Sequence, residues 1–288
     1  MNYQELVKQI FKKRSFLCVG LDPDYEKIPQ QLKADYSHVT PDILLMEFIQ
    51  NIVDATAPYA VAFKPNLAFF ERYGSGGFRL LEDVISYIKT AYPDILVIAD
   101  AKRGDIGNTA KQYAKALFGE LSADAVTVNP YMGEDSVLPF LTYKDDYDPE
   151  TNFWTVILAL TSNKGCFDFQ LVEDANAEKL YQKVLRTTSS WTESTKENTM
   201  YVVGATRADM LADIRRIVPE HFLLVPGVGA QGGSLEEVVK YGMTKDCGLL
   251  VNSSRGILYA ASHEGYAEAA ARAAAKLQQQ MDALLPKR

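Results

Sequence analysis

Ile95-Leu96-Val97-Ile98-Ala99, followed at once by Asp100-Ala101-Lys102-Arg103-Gly104-Asp105, joins a short apolar run to a charged turn. The run is branched, bounded by polar residues and too apolar for a surface element, so it reads as a buried parallel strand. Seven similar runs occur along the chain: Phe16–Leu21, Ala60–Phe63, Ala125–Val128, Trp154–Leu160, Met200–Val203, Phe222–Val225 and Gly248–Val251. Amphipathic segments lie between them, among them Asp42–Ala57, Gly77–Thr90, Thr109–Leu121, Ser234–Tyr241 and the alanine-rich His263–Leu285. Eight strand–helix units without a Pro/Gly-rich linker predict an α/β chain folded as one (β/α)8 barrel over residues 1–288. A doubly wound open sheet is the alternative, because periodicity says nothing about closure. Residues 141–152, with Asp145-Asp146-Tyr147-Asp148, and residues 173–198 read as solvated insertions.

Composition narrows the function. The net charge of −7 argues against a nucleic-acid partner, since there is no basic surplus to neutralise phosphates. It leaves room for one phosphorylated metabolite held at a local site. Cys18, Cys166 and Cys247 are too scattered for a disulfide framework or zinc spacing, and they fit a reducing cytoplasm. The N-terminus is polar and amphipathic, without a signal-peptide core, and no stretch approaches the ~20 apolar residues of a membrane span. His38, His221 and His263 sit in no motif, so the chain gives little support to histidine chemistry or a His-bound metal.

In such barrels the chemistry gathers where strands end and loops begin. Asp100 and Lys102 share one side of their strand, and Asp105 follows the Gly104 turn. Two carboxylates around one ammonium suit a proton donor in a charged site, or else a solvated salt bridge at a strand end. Lys64, fixed before Pro65, either joins that array or snorkels to solvent. Asp22, before Pro23, suits a hydroxyl partner such as ribose, or initiates a turn. Thr161 and Ser162 could bond the edge of a heterocycle or cap a strand. Glycines 227, 229, 232 and 233 precede a helix and bracket Gln231, which marks an anion cradle or a tight turn. Arg255, at the next strand end, tips the balance toward phosphate, because the last two loops commonly form the phosphate site of these barrels.

Taken together, the chain resembles the orotidine 5′-phosphate decarboxylase family over nearly its whole length. The resemblance is carried by Gly20-Leu21-Asp22-Pro23-Asp24, Phe63-Lys64-Pro65-Asn66, Asp100 to Thr109, Pro226 to Gly233 and Ser253-Ser254-Arg255-Gly256. The length and Asn129-Pro130-Tyr131-Met132-Gly133-Glu134-Asp135-Ser136 are similar to the longer bacterial form. The resemblance implies cofactor-free, metal-free loss of carbon dioxide from orotidine 5′-monophosphate to give UMP. It assigns the proton donor to Lys102 and the rest of the charged array to Lys64, Asp100 and Asp105. It further implies that Asp22 holds the ribose, that Ser162 or its neighbour Thr161 holds the pyrimidine, and that Gln231 and Arg255 hold the phosphate, with Pro226 alongside. Asp105, Ile106 and Thr109 would reach the site of a partner subunit, making the protein a homodimer.

Two rival readings remain. Magnesium-dependent sugar-phosphate enzymes of the same suprafamily resemble the chain at Asp100, Lys102 and Asp105, but carry a carboxylate where Lys64 stands. A lysine there would repel a divalent ion. A non-catalytic nucleotide-binding barrel would keep the phosphate loops without needing the Lys/Asp array.

Overall fold

The computed structural model describes residues 1–144, 151–228 and 232–287. Eight parallel strands close into a barrel in sequence order: β1 (Leu17–Leu21), β2 (Ala60–Pro65), β3 (Leu96–Arg103), β4 (Ala125–Val128), β5 (Trp154–Leu160), β6 (Thr199–Val203), β7 (Phe222–Pro226) and β8 (Leu249–Ser253). Closure is made by β1 on β8, where Leu17 pairs with Val251, and it eliminates the open-sheet alternative. The strands are buried almost without interruption, which is why they lack a polar alternation: barrel interior and helix layer cover both faces. Among the described residues, no helix is long and apolar enough to cross a membrane.

One end of the barrel is plugged. The helix Tyr3–Lys13 starts from a capping box between Asn2 and Glu5 and buries Leu6 and Ile10. The Tyr3 ring meets Phe222 edge-on at 5.3 Å, and the Trp154 indole donates to the Met1 carbonyl at 2.8 Å. The other end, where the strands finish, stays open to the βα loops.

Two segments differ from the sequence reading. Residues 173–198 are not a solvated insertion. They contain the helix Leu180–Ser189, which packs on β5 through Tyr181, Leu185 and Thr188 and is the barrel's own helix between β5 and β6. Its apolar stripe is narrow and its outer face polar, so composition hides its burial. Of residues 141–152, Leu141 and Tyr143 are core residues and only 145–150 lie outside the described residues. The strand β3 also runs past its apolar part to Arg103, carrying Asp100 and Lys102 within it.

Candidate active site

Asp100 stands at the floor of the open end, 8% exposed. Its two oxygens are divided between two ammonium groups: Lys64 Nζ donates to Oδ2 at 2.6 Å, and Lys102 Nζ to Oδ1 at 2.5 Å. Adjacent strands β2 and β3 make this possible, because Asn66 bridges to Asp100 and sets Lys64 across from the carboxylate. Burial alone would push the Asp100 carboxyl up, but the charges of Lys64 and Lys102 outweigh it and hold the group below the usual carboxylate range. Burial likewise works against the Lys64 charge, and the carboxylates of Asp100 and Asp22 overcome it, raising its pKa above the ordinary lysine value. Lys102 is about half exposed, so its ammonium rests on a buried anion while facing the cavity.

Lys102 also has a φ of 46°, left-handed backbone that a non-glycine residue rarely adopts. A bulge between β3 and β4 causes it: the pairs Ala99–Val126 and Arg103–Val128 enclose more residues on β3 than on β4. Strain of this kind persists where surrounding contacts enforce it, typically at functional sites.

Above the floor lies a cavity of about 370 Å³. Asp22 from β1, Lys64 and Asn66 from β2, and Asp100 and Lys102 from β3 line one side. Thr161, Ser162 and Asn163 after β5, Pro226, Gly227 and Val228 from β7, and Asn252 to Arg255 from β8 line the other. Strand ends distant in sequence thus meet around one volume large enough for a nucleotide-sized ligand.

The details assign different capacities to these groups. Asp22 Oδ1 is buried without a hydrogen-bond partner among the described residues, although its charge acts on nearby Lys64. The Thr161 hydroxyl is engaged with Asn163 at 2.6 Å and Gln170 at 2.9 Å. Gly227 has a φ of 98°, so the turn after β7 requires glycine there. Its carbonyl accepts from Gly233 at 3.3 Å, closing the loop ahead of the helix Leu235–Gly242. Gln231 lies outside the described residues. Arg255 is exposed at the cavity rim and has no ion-pair partner among the described residues, unlike the surface salt bridge a purely structural arginine would make.

One sequence expectation is corrected. Asp105 does not flank Lys102 within the chain: its carboxylate accepts the Ile106 amide at 2.8 Å, and Lys102 pairs with Asp100 alone among the described residues. The Gly104 turn carries Asp105 past the mouth. Ile106 and Thr109 are exposed beyond it at the start of the helix Gly107–Ala114, away from the chain's own cavity.

The structure adds residues the sequence reading passed over. Asn252 is a buried polar residue at the end of β8 that lines the cavity. Thr127 is the polar member of the otherwise apolar β4. In both cases the signal was a polar side chain in a strand too short and apolar to have a solvent face.

Comparisons with known proteins agree with this geometry. A family model for the orotidine 5'-phosphate decarboxylase / HUMPS family matches residues 15–270. The orotidine 5'-phosphate decarboxylase of Phocaeicola vulgatus is 55% identical over 285 residues, covering 99% of each chain. That of Christiangramia forsetii is 54% identical over 287 residues, covering 100% of each. Among solved structures, the OMP decarboxylase of Leishmania donovani superposes with a TM-score of 0.79 at 35% identity, covering 99% of each chain. The chain belongs to the orotidine 5'-phosphate decarboxylase / HUMPS family.

Proposed function

We propose that the protein decarboxylates orotidine 5′-monophosphate to UMP and carbon dioxide without a cofactor, the last step of de novo UMP synthesis, in the cytoplasm. The observation that carries this reading is the Lys64–Asp100–Lys102 array at the floor of a cavity whose far rim holds Arg255 and the glycine turn after β7. That layout pairs a proton donor with an anion grip at a distance. Loss of carbon dioxide leaves negative charge at C6 of the pyrimidine. A Lys102 ammonium already oriented by Asp100 meets that charge without reorganisation and then delivers a proton to the carbon. The orphaned Asp22 oxygen suits a ribose hydroxyl, Ser162 the pyrimidine edge, and Arg255 the phosphate, with Pro226 and Gln231 in the same loop. Phosphate binding far from the breaking bond lowers the barrier when it helps assemble the site around the ring.

The same reading extends to a homodimer. Asp105 turns away from its own Lys102, and Ile106, Tyr131 and Met132 are exposed apolar residues on the loops after β3 and β4. An aspartate delivered from a second copy would complete the array. Lys64, held on Asp100, also disfavours a divalent-ion enzyme, because its ammonium stands where a metal-binding carboxylate would be needed.

The test is the ultraviolet absorbance of orotidine 5′-monophosphate incubated with EDTA-treated protein. Loss of the substrate band with appearance of UMP supports the reading. Activity that vanishes with EDTA and returns with magnesium favours the metal enzyme. UMP binding without turnover favours a phosphate-binding barrel.

A further inference from the structure

The bulge in β3 brings Asp100, Ala101 and Lys102 opposite a single residue of β4, Thr127. The Lys102 amide donates to Thr127 Oγ1 at 2.9 Å, and Thr127 Oγ1 lies 2.9 Å from Asp100 Oδ1. The direction of this chain is fixed by chemistry. An amide can only donate and an ionised carboxylate can only accept, so the one hydroxyl proton goes to Asp100. The same carboxylate oxygen takes the Lys102 ammonium at 2.5 Å. The hydroxyl therefore closes a ring that contains the Lys102 backbone, its side chain and its counter-ion. Thr127 is 1% exposed, and its β-branch restricts rotation about χ1, so water has little access to replace it.

We infer that Thr127 is a positioning residue for the decarboxylation: its single hydroxyl holds the left-handed Lys102 backbone and the Asp100 carboxylate together, and so sets where the Lys102 ammonium stands. The kinetic consequence rests on the activity proposed above. The geometric consequence does not. Valine has nearly the shape and volume of threonine, so a valine at 127 would fill the same buried space, and the hydroxyl is the feature left to explain.

Thr127→Val keeps the branched shape and removes the hydroxyl, whereas Thr127→Ser keeps the hydroxyl. Thr127→Val is expected to lower kcat on orotidine 5′-monophosphate about 10- to 100-fold, the range for loss of one hydrogen bond to a charged group. KM should stay within about threefold, because the contact orients a reacting group without gripping substrate. Thr127→Ser should recover most of the rate. A crystal structure of Thr127→Val should show Lys102 displaced from its present backbone conformation. Wild-type kcat in Thr127→Val would overturn the inference. So would equal losses of rate in both variants that track equal losses of Tm, which would mark a packing role. If the wild-type protein binds UMP but does not consume orotidine 5′-monophosphate, the activity reading fails by itself. The Thr127→Val structure then decides the positioning role: a displaced Lys102 supports it and an unmoved one overturns it.

Discussion

Lys64 and Asp100 meet 2.6 Å apart, both buried, and the carboxylate that Lys64 holds is the one on which Lys102 rests. The partly exposed ammonium is thereby oriented by a pair that water hardly reaches. Buried pairs of this kind are costly to break from one side, because the remaining charge stays desolvated. Lys64→Ala is expected to destabilise the fold by about 3 kcal/mol, at the lower end for such pairs since Lys102 still neutralises Asp100. Urea denaturation checks this, and an unchanged midpoint would show that the pair contributes no net stability.

Arg255 and the close approach of Gly20 to Ser254 bear on the proposed phosphate contact. Arg255→Ala should lower kcat/KM about 100-fold or more while reducing the preference for UMP over uridine as inhibitor. Gly20→Ala should do the same more weakly, because a Cβ at Gly20 would sit 1.8 Å from Ser254 Oγ, next to Arg255. Inhibition constants for UMP and uridine measure both effects.

The proposed division of the array between subunits has its own test. Lys102→Ala and Asp105→Ala should each be nearly inactive alone. Mixed, unfolded and refolded together, they should regain about a quarter of wild-type activity, since half of randomly paired dimers are mixed and each carries one intact site. No recovery, in a protein that is dimeric by sedimentation, would place Asp105 outside the partner's site.

His221 sets a pH dependence far from the cavity. Neither ring nitrogen has a hydrogen-bond partner among the described residues, and burial, helped by the Arg215 charge, lowers its pKa from 6.5 to about 4. The unfolded chain therefore binds a proton that the folded chain refuses. Stability falls as pH drops through the window between those values, by up to about 3 kcal/mol. Asp100 adds nothing in this window. Its folded carboxyl lies below the ordinary value of 3.8, so its contribution is present above that pH and is lost only on further acidification. Urea midpoints from pH 7 to 4 should decline less in His221→Phe than in wild type.

The barrel was legible because its strands are buried on both faces and read as continuous apolar runs, which also placed the six polar strand ends that were read together. Closure was not legible: it depends on β1 meeting β8, a pairing no local pattern encodes. Strand alternation put Asp100 and Lys102 on one side; that Lys64 joins them and does not snorkel to solvent shows only when β2 is laid against β3. The turning-away of Asp105 was not legible either, because the direction of a loop after a glycine is set by backbone dihedrals that composition leaves open. The bulge at Lys102 was hidden for a similar reason. It is visible only when β3 is laid against β4, and with it the role of Thr127. Residues 173–198 were misread because three buried side chains suffice to dock a helix whose other faces are polar.

The most direct test of the account is Lys102→Ala, measured both for turnover of orotidine 5′-monophosphate and for UMP binding by calorimetry. Turnover is expected to disappear while UMP still binds with measurable affinity, because the proposed phosphate and ribose contacts lie elsewhere in the cavity. Turnover near the wild-type rate would contradict the assignment of the proton donor to Lys102, since among the described residues no other ammonium on the Asp100 carboxylate is comparably exposed.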